Sequence, residues 1–128
     1  MKSAVLILAA MLTSTMACAD LYKSNFTAPD NRGAPRAYGF VVDLQFSENG
    51  QIAGEFKEFF GTSACRWNGV KLSGGNLPDG NFRWLSEENA MRNCGRIVFI
   101  GRKEGDKIVG HLPKFQGAKV DLELSPTQ

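Results

Sequence analysis

The sequence is poor in the side chains on which most enzymes and metal centres depend. It contains one histidine, His111, and three cysteines, so a site with several histidine ligands cannot form. A general base would need an orienting carboxylate or hydroxyl, and the sequence identifies none for His111. Ser63 lies in GTSAC, but Cys65 replaces the second glycine of the Gly-x-Ser-x-Gly nucleophile elbow. We therefore expect that the protein is not an enzyme and uses no metal or cofactor.

An excess of one charge and a long apolar run are also missing. The formal net charge is +2, which leaves no basic surplus to draw the chain onto nucleic acid or an anionic membrane. The apolar run AVLILAAML, residues 4–12, is much shorter than the roughly 20 residues of a membrane-spanning helix. We expect no nucleic-acid partner and no stable membrane anchor.

The N-terminal segment has the pattern of an export signal. Lys2 precedes the apolar run, and the small residues Ala17 and Ala19 occupy the third-last and last positions before a cleavage site. Cleavage there defines residues 1–19 as a signal peptide. Residues 20–128 then form a single secreted domain, since they suffice for one modest core and not for two.

The fate of Cys18 decides whether the exported protein is soluble or is a lipoprotein. Lipoprotein signals usually carry a bulky aliphatic residue three positions before the modified cysteine, and Thr15 stands there. Removal of Cys18 with the signal peptide leaves Cys65 and Cys94 as an even pair, and an oxidising compartment favours one disulfide between them. We expect a soluble periplasmic or secreted protein, with a lipoprotein anchored at Cys18 as the alternative.

Hydrophobic residues alternate with polar ones from Tyr38 onward, which predicts half-buried β-strands. Asn49-Gly50 indicates a tight type I′ hairpin after the first of them. GAKVDLELS, residues 117–125, predicts a final strand of the same kind. Other segments predict an irregular lead-in (27–36), a long turn (73–80) and at most one short helix (86–93).

Six or seven antiparallel strands with short connections leave two outer edges that a small domain must protect. Closure of the sheet removes both edges, and nine phenylalanines can fill a narrow interior. We therefore predict an all-β fold, a small antiparallel meander closing into a barrel. A β-sandwich is the alternative.

The segment between Cys65 and Cys94 is the strongest candidate for a partner-binding site. It contains both tryptophans, each next to an arginine, and these side chains are enriched at interface hot spots. A disulfide at the base of the segment would also reduce the entropy lost on binding. The alternative places both tryptophans in the core. The candidate partner-binding residues are Arg66, Trp67, Ser73, Gly74, Gly75, Asn76, Leu77, Asp79 and Arg83.

These features favour a protein that binds another protein, such as an enzyme inhibitor or an immunity protein. The chain is similar in size to the periplasmic lysozyme inhibitors, but Leu77 stands where their Ser-Gly-x-x-Tyr signature has tyrosine. The alternative is a lipocalin-like carrier of a small apolar ligand. An interior cavity above about 300 Å³, lined by Phe40, Phe46, Phe56 and Phe99, would favour the carrier.

Overall fold

The structure is a computed structural model that describes residues 20–30, 32–61, 65–91 and 94–127. The predicted signal peptide, with Cys18, and Ser63 lie outside these ranges. In chain order the strands are β1 (Asp20–Pro29), β2 (Pro35–Phe46), β3 (Gln51–Phe60), β4 (Lys71–Asn76), β5 (Phe82–Ser86), β6 (Val98–Glu104), β7 (Lys107–Phe115) and β8 (Ala118–Pro126).

The eight strands form a closed antiparallel barrel in which each pairs with the next and β8 pairs with β1. The predicted all-β meander and its closure are therefore confirmed, and the sandwich alternative does not apply. The number of strands is eight, whereas the sequence pattern predicted six or seven. Within the described ranges no helix is long and apolar enough to span a membrane.

The irregular lead-in predicted for residues 27–36 is wrong. Thr27 to Pro29 end β1, and β2 already begins at Pro35, which lies opposite Pro29 in the register. The two prolines stand at the ends of their strands, where a missing N–H costs few ladder hydrogen bonds. Of the described residues in this stretch, only Asp30 and residues 32–34 lie outside the strands.

Three other local predictions can be compared with the structure, and the absence of a helix in the described ranges agrees with the prediction of at most one short helix. Residues Ser73 to Asn76 belong to β4, so the predicted long turn shrinks to the connection between β4 and β5. Ser86 completes β5, and no helix follows it among the described residues. The hairpin at Asn49-Gly50 is confirmed, but its connection has four residues and only Gly50 has a positive φ, of 85°, so it is not type I′.

Aromatic side chains fill the interior of the barrel. Phe40, Phe56, Trp84 and Phe99 have no solvent-accessible surface, so no water-sized void touches them. Phe40 meets Phe56 edge to face with ring centroids 5.4 Å apart, and Trp84 stacks on Phe99 at 5.3 Å. This packing is that of a solid core.

Glycines on β6 and β7 make room for one of these rings. A methyl group built on either Gly101 or Gly110 would lie 2.6 Å from an atom of the Phe99 ring. The ring therefore lies directly against the two backbones. A larger residue at either position would displace Phe99 from the core.

Among the described residues, the junction of β1 and β8 has the shortest ladder in the barrel. The register pairs Tyr22 with Pro126 and Lys23 with Ser125, and the N–H of Thr127 donates to the carbonyl of Leu21 at 2.8 Å. Aromatic side chains from β1, β2 and β7 cover the inner side of the junction farther along β1. The rings involved are those of Phe26, Tyr38 and Phe115.

Candidate functional site

Because neighbouring strands are antiparallel, successive connections lie alternately at the two ends of the barrel. Those that follow β1, β3, β5 and β7 lie at one end, here called the disulfide end. Those that follow β2, β4 and β6 lie at the other, here called the hairpin end. The candidate residues are distributed over both ends.

Cys65 and Cys94 form the predicted disulfide, with their Cα atoms 5.8 Å apart. The bond joins the connection after β3 to the connection after β5. It closes a loop with a sequence separation of 29, for which chain entropy predicts a stabilisation of about 3 to 4 kcal/mol. A structural disulfide of this kind indicates an oxidising environment, as expected for an exported protein.

Asn89 fastens the same two connections a second time. Its side chain is only 7% exposed, and its Nδ2 donates to the carbonyl of Arg66 at 2.7 Å. The Oδ1 of Asn89 accepts from the N–H of Met91 at 2.8 Å. The sequence analysis missed this residue, because an asparagine in a polar segment carries no signal of burial.

The two neighbours Arg66 and Trp67 have different surroundings. Arg66 is exposed at the disulfide end. Trp67 is 3% exposed, and its ring lies 6.3 Å from that of Phe56 and 6.4 Å from that of Phe59. Trp67 therefore occupies the core position that the sequence analysis gave as its alternative, and its ring does not present a contact surface. Trp84 is likewise buried.

The hairpin of β4 and β5 presents most of the remaining candidates on its outer face. Ser73 and Arg83 are exposed, and Gly75, which pairs with Arg83, is half-buried. Gly74 faces the interior, where a methyl group would lie 2.6 Å from the Cα of Trp84. Gly74 is thus a packing residue, whereas the other three belong to the outer wall.

The turn of this hairpin is held by its own hydrogen bonds. The N–H of Leu77 donates to the carbonyl of Asn81 at 2.7 Å, and the Oδ1 of Asp79 accepts from the N–H of Asn81 at 3.0 Å. The N–H of Asn76 donates to the carbonyl of Gly50 at 3.1 Å, which joins this turn to the neighbouring hairpin. The turn is therefore preorganised in the free protein.

The structure does not bring all the predicted residues into one surface. Arg66 precedes β4 and Asp79 follows it, so they lie at opposite ends of the barrel. A strand of six residues spans roughly 20 Å at about 3.3 Å per residue. The outer face of the hairpin, with Ser73, Gly75, Asp79 and Arg83, is the coherent part of the candidate site.

A carboxylate organises the turn at the start of β2. The Oδ1 of Asp30 accepts from the N–H groups of Arg32 and Ala34, at 2.8 and 2.9 Å, and its Oδ2 accepts from Nε of Arg36 at 3.0 Å. The Arg36 side chain and the two backbone N–H groups hold the pKa of Asp30 below its ordinary value of 3.8. At neutral pH the turn is fixed by a charged group.

The described residues do not provide a metal-binding group. In the part of the chain that the structure describes, no three histidine, cysteine, aspartate or glutamate side chains form a group that could hold a metal ion. No protein-family model, no curated protein and no solved structure matches the chain. The fold and the geometry of the exposed residues are therefore the basis for a function.

Proposed function

We propose that the protein is an exported binding protein that recognises another protein through the outer face of the β4–β5 hairpin, with enzyme inhibitors and immunity proteins as the favoured classes. The observation that carries the proposal is the filled interior. Phe40, Phe56 and Phe99 would have to line the cavity of a carrier, yet they have no accessible surface. Binding is then a property of the outer surface.

The rigidity of the hairpin supports its choice over other surfaces. Its turn is closed by the hydrogen bonds of Leu77 and Asp79, and Asn76 ties it to the backbone at Gly50. Beyond Ser86 the chain enters the connection that the disulfide and Asn89 fasten. A partner would therefore meet a surface that loses little conformational entropy on binding.

The chemistry of the face favours a partner with a carboxylate. Arg83 is exposed and forms no ion pair with the described residues, and arginine binds carboxylates through two parallel hydrogen bonds. Its cross-strand neighbour on β4 is Gly75, which has no side chain to cover the guanidinium group from that side, whereas its neighbour on β6 is Ile100. A planar acidic group of a partner can approach Arg83 from this side.

The lipocalin-like alternative has less support. Of the four phenylalanines proposed to line a cavity, only Phe46 is half-buried, and it lies at the hairpin end beneath Lys103, whose Nζ is 4.0 Å from the ring centroid. The barrel interior around the other three is solid. No observation on the described residues favours an apolar ligand inside the barrel.

Charge reversal provides a matched experiment. Lys119 is exposed on β8, four strands from β4 on the opposite wall, and serves as the control position. The mature chain and its Arg83→Glu and Lys119→Glu variants would be used for affinity capture from the native cell envelope, with quantitative mass spectrometry. We expect a partner that the wild type and Lys119→Glu retain and Arg83→Glu loses. Equal capture by both variants would contradict the assignment.

A further inference from the structure

A second surface, distant from the hairpin turn, also has the composition of a binding site. A depression of about 290 Å³ lies on the barrel at β1, β2 and the end of β3, and it is open to solvent. Its volume is near the lower limit of about 300 Å³ for small-molecule sites, so it fits a ligand of one or two rings. The lining residues are Asn25, Phe26, Thr27, Ala37, Tyr38 and Phe60.

Phe60 forms one wall of this depression. Its side chain is 49% exposed, although Phe56 and Phe59 of the same strand are buried and half-buried. A β-bulge shifts the register between β2 and β3 at Val41 and Val42, and beyond it Phe60 pairs with Gly39. The bulge thus directs the ring to the outer surface.

Gly39 lies between the ring of Phe60 and the side chain of Asn25. A methyl group built there would lie 2.7 Å from Oδ1 of Asn25 and 2.9 Å from Cζ of Phe60. The amide of Asn25 and the ring of Phe60 therefore share the space that a side chain would occupy. A half-exposed aromatic ring and a polar amide thus lie next to each other at the surface.

The chemistry of the lining selects the class of ligand. Asn25 offers an amide donor and acceptor, Thr27 is exposed on the same face of β1 and offers a hydroxyl, and no lining residue carries a formal charge. A phosphate, a carboxylate or an ammonium group would find no opposite charge there. A pyranose has an apolar C–H face that can lie on an aromatic ring and a rim of neutral hydroxyl groups for an amide and a hydroxyl.

We propose that this depression is a binding site for neutral pyranose saccharides, with Phe60 as the stacking platform and Asn25 and Thr27 as hydrogen-bonding groups. The site is independent of the protein-binding hairpin. It would let the protein contact glycans of the compartment to which it is exported. Its shallow form predicts weak binding, with a dissociation constant on the order of 1 mM for a short oligosaccharide.

The test is a titration of the isotope-labelled mature chain with the β-1,4-linked trimer of N-acetylglucosamine and, separately, with cellotriose, followed by amide chemical shifts. We expect saturable shifts at Asn25, Thr27, Ala37, Gly39 and Phe60 with at least one of the two sugars. Phe60→Ala should weaken binding by about tenfold or more, which corresponds to about 1.4 kcal/mol.

Leu21→Ala is the matched control, because Leu21 is an apolar side chain on β1 that is 40% exposed and lies outside the lining. It should leave the affinity unchanged. Thermal melts of both variants would verify folding, and Asn25→Ala provides a second variant that keeps the ring. The absence of saturable shifts with both sugars up to about 20 mM, at which a 1 mM site is nearly saturated, would overturn the proposal. Equal affinities of Phe60→Ala and Leu21→Ala would do the same.

Discussion

Phe115 and Tyr38 meet edge to face across the inner side of the barrel closure, with ring centroids 5.2 Å apart. Phe115 ends β7, whereas Tyr38 belongs to β2, so the contact spans the junction at which β8 meets β1. Gln116 strengthens it, because its Nε2 donates to the hydroxyl of Tyr38 at 3.3 Å. Side chains thus secure a closure in which the backbone ladder is short.

This arrangement predicts a large effect of Phe115→Ala on stability. Phe115 is buried against the rings of Phe26, Tyr38 and Phe59, so its loss should lower the free energy of unfolding by about 3 to 5 kcal/mol. Urea denaturation measures the change. Leu122→Ala, on β8, should cost about 2 to 5 kcal/mol as an ordinary core truncation. A cost below about 1 kcal/mol for Phe115→Ala would show that the ring does not secure the closure.

The disulfide should contribute to stability as one unit. Cys65→Ser, Cys94→Ser and the double variant should each lower the free energy of unfolding by about 2 to 5 kcal/mol, because either single change already removes the whole cross-link. Denaturation with and without reductant measures this. If reductant leaves the melting temperature of the wild type unchanged, the bond does not stabilise the barrel.

Trp67 and its neighbour Arg66 should respond differently to truncation. Trp67→Ala removes a ring packed against Phe56 and Phe59 and should cost about 3 to 5 kcal/mol of stability. Arg66→Ala removes an exposed side chain and leaves its carbonyl bonded to Asn89, so its cost should stay within about 0.5 kcal/mol. Equal losses of stability in Trp67→Ala and Arg66→Ala, measured by thermal or urea denaturation, would mean that Trp67 is not a core residue.

Acid should weaken the turn that Asp30 organises. The pKa of Asp30 is lower in the folded protein than in the unfolded chain. The ionised carboxylate therefore stabilises the fold at any pH above the pKa of the unfolded chain. This stabilisation is lost as the pH falls through the pKa of the folded protein. Asp30→Asn should therefore destabilise the protein at pH 7. It should also reduce the loss in the free energy of unfolding that the wild type shows below pH 4. Carboxyl chemical shifts give the pKa directly. A titration midpoint above 3.8 would contradict the assignment.

The parts of the fold that could be predicted are those with a local signal. Val120, Leu122 and Leu124 alternate with charged residues, and Gly50 provides the positive φ of its hairpin. The pairing of Cys65 with Cys94 followed from their even number once Cys18 was assigned to the signal peptide. In each case the relevant interaction lies within a few residues or depends on a simple count.

The remaining features depend on contacts between distant segments. Gly74 resembles a turn residue in the sequence, but it is a strand residue because the backbone at Trp84 approaches it closely. Trp67 lies in the connection between β3 and β4, where the alternation of a strand does not decide which side chain is buried. The exposure of Phe60 follows from a bulge in the pairing of β2 with β3, which no local pattern reveals.

Binding on the outer face of the β4–β5 hairpin is the basis of the proposed function. Site-specific photo-crosslinking in cells that export the protein tests it most directly. A photoreactive amino acid would replace Ser73 on β4 or, as the control, Lys119 on the opposite wall, both of which are exposed. We expect a discrete protein adduct from position 73 and none from position 119. An adduct from position 119 alone, or from neither position, would contradict it.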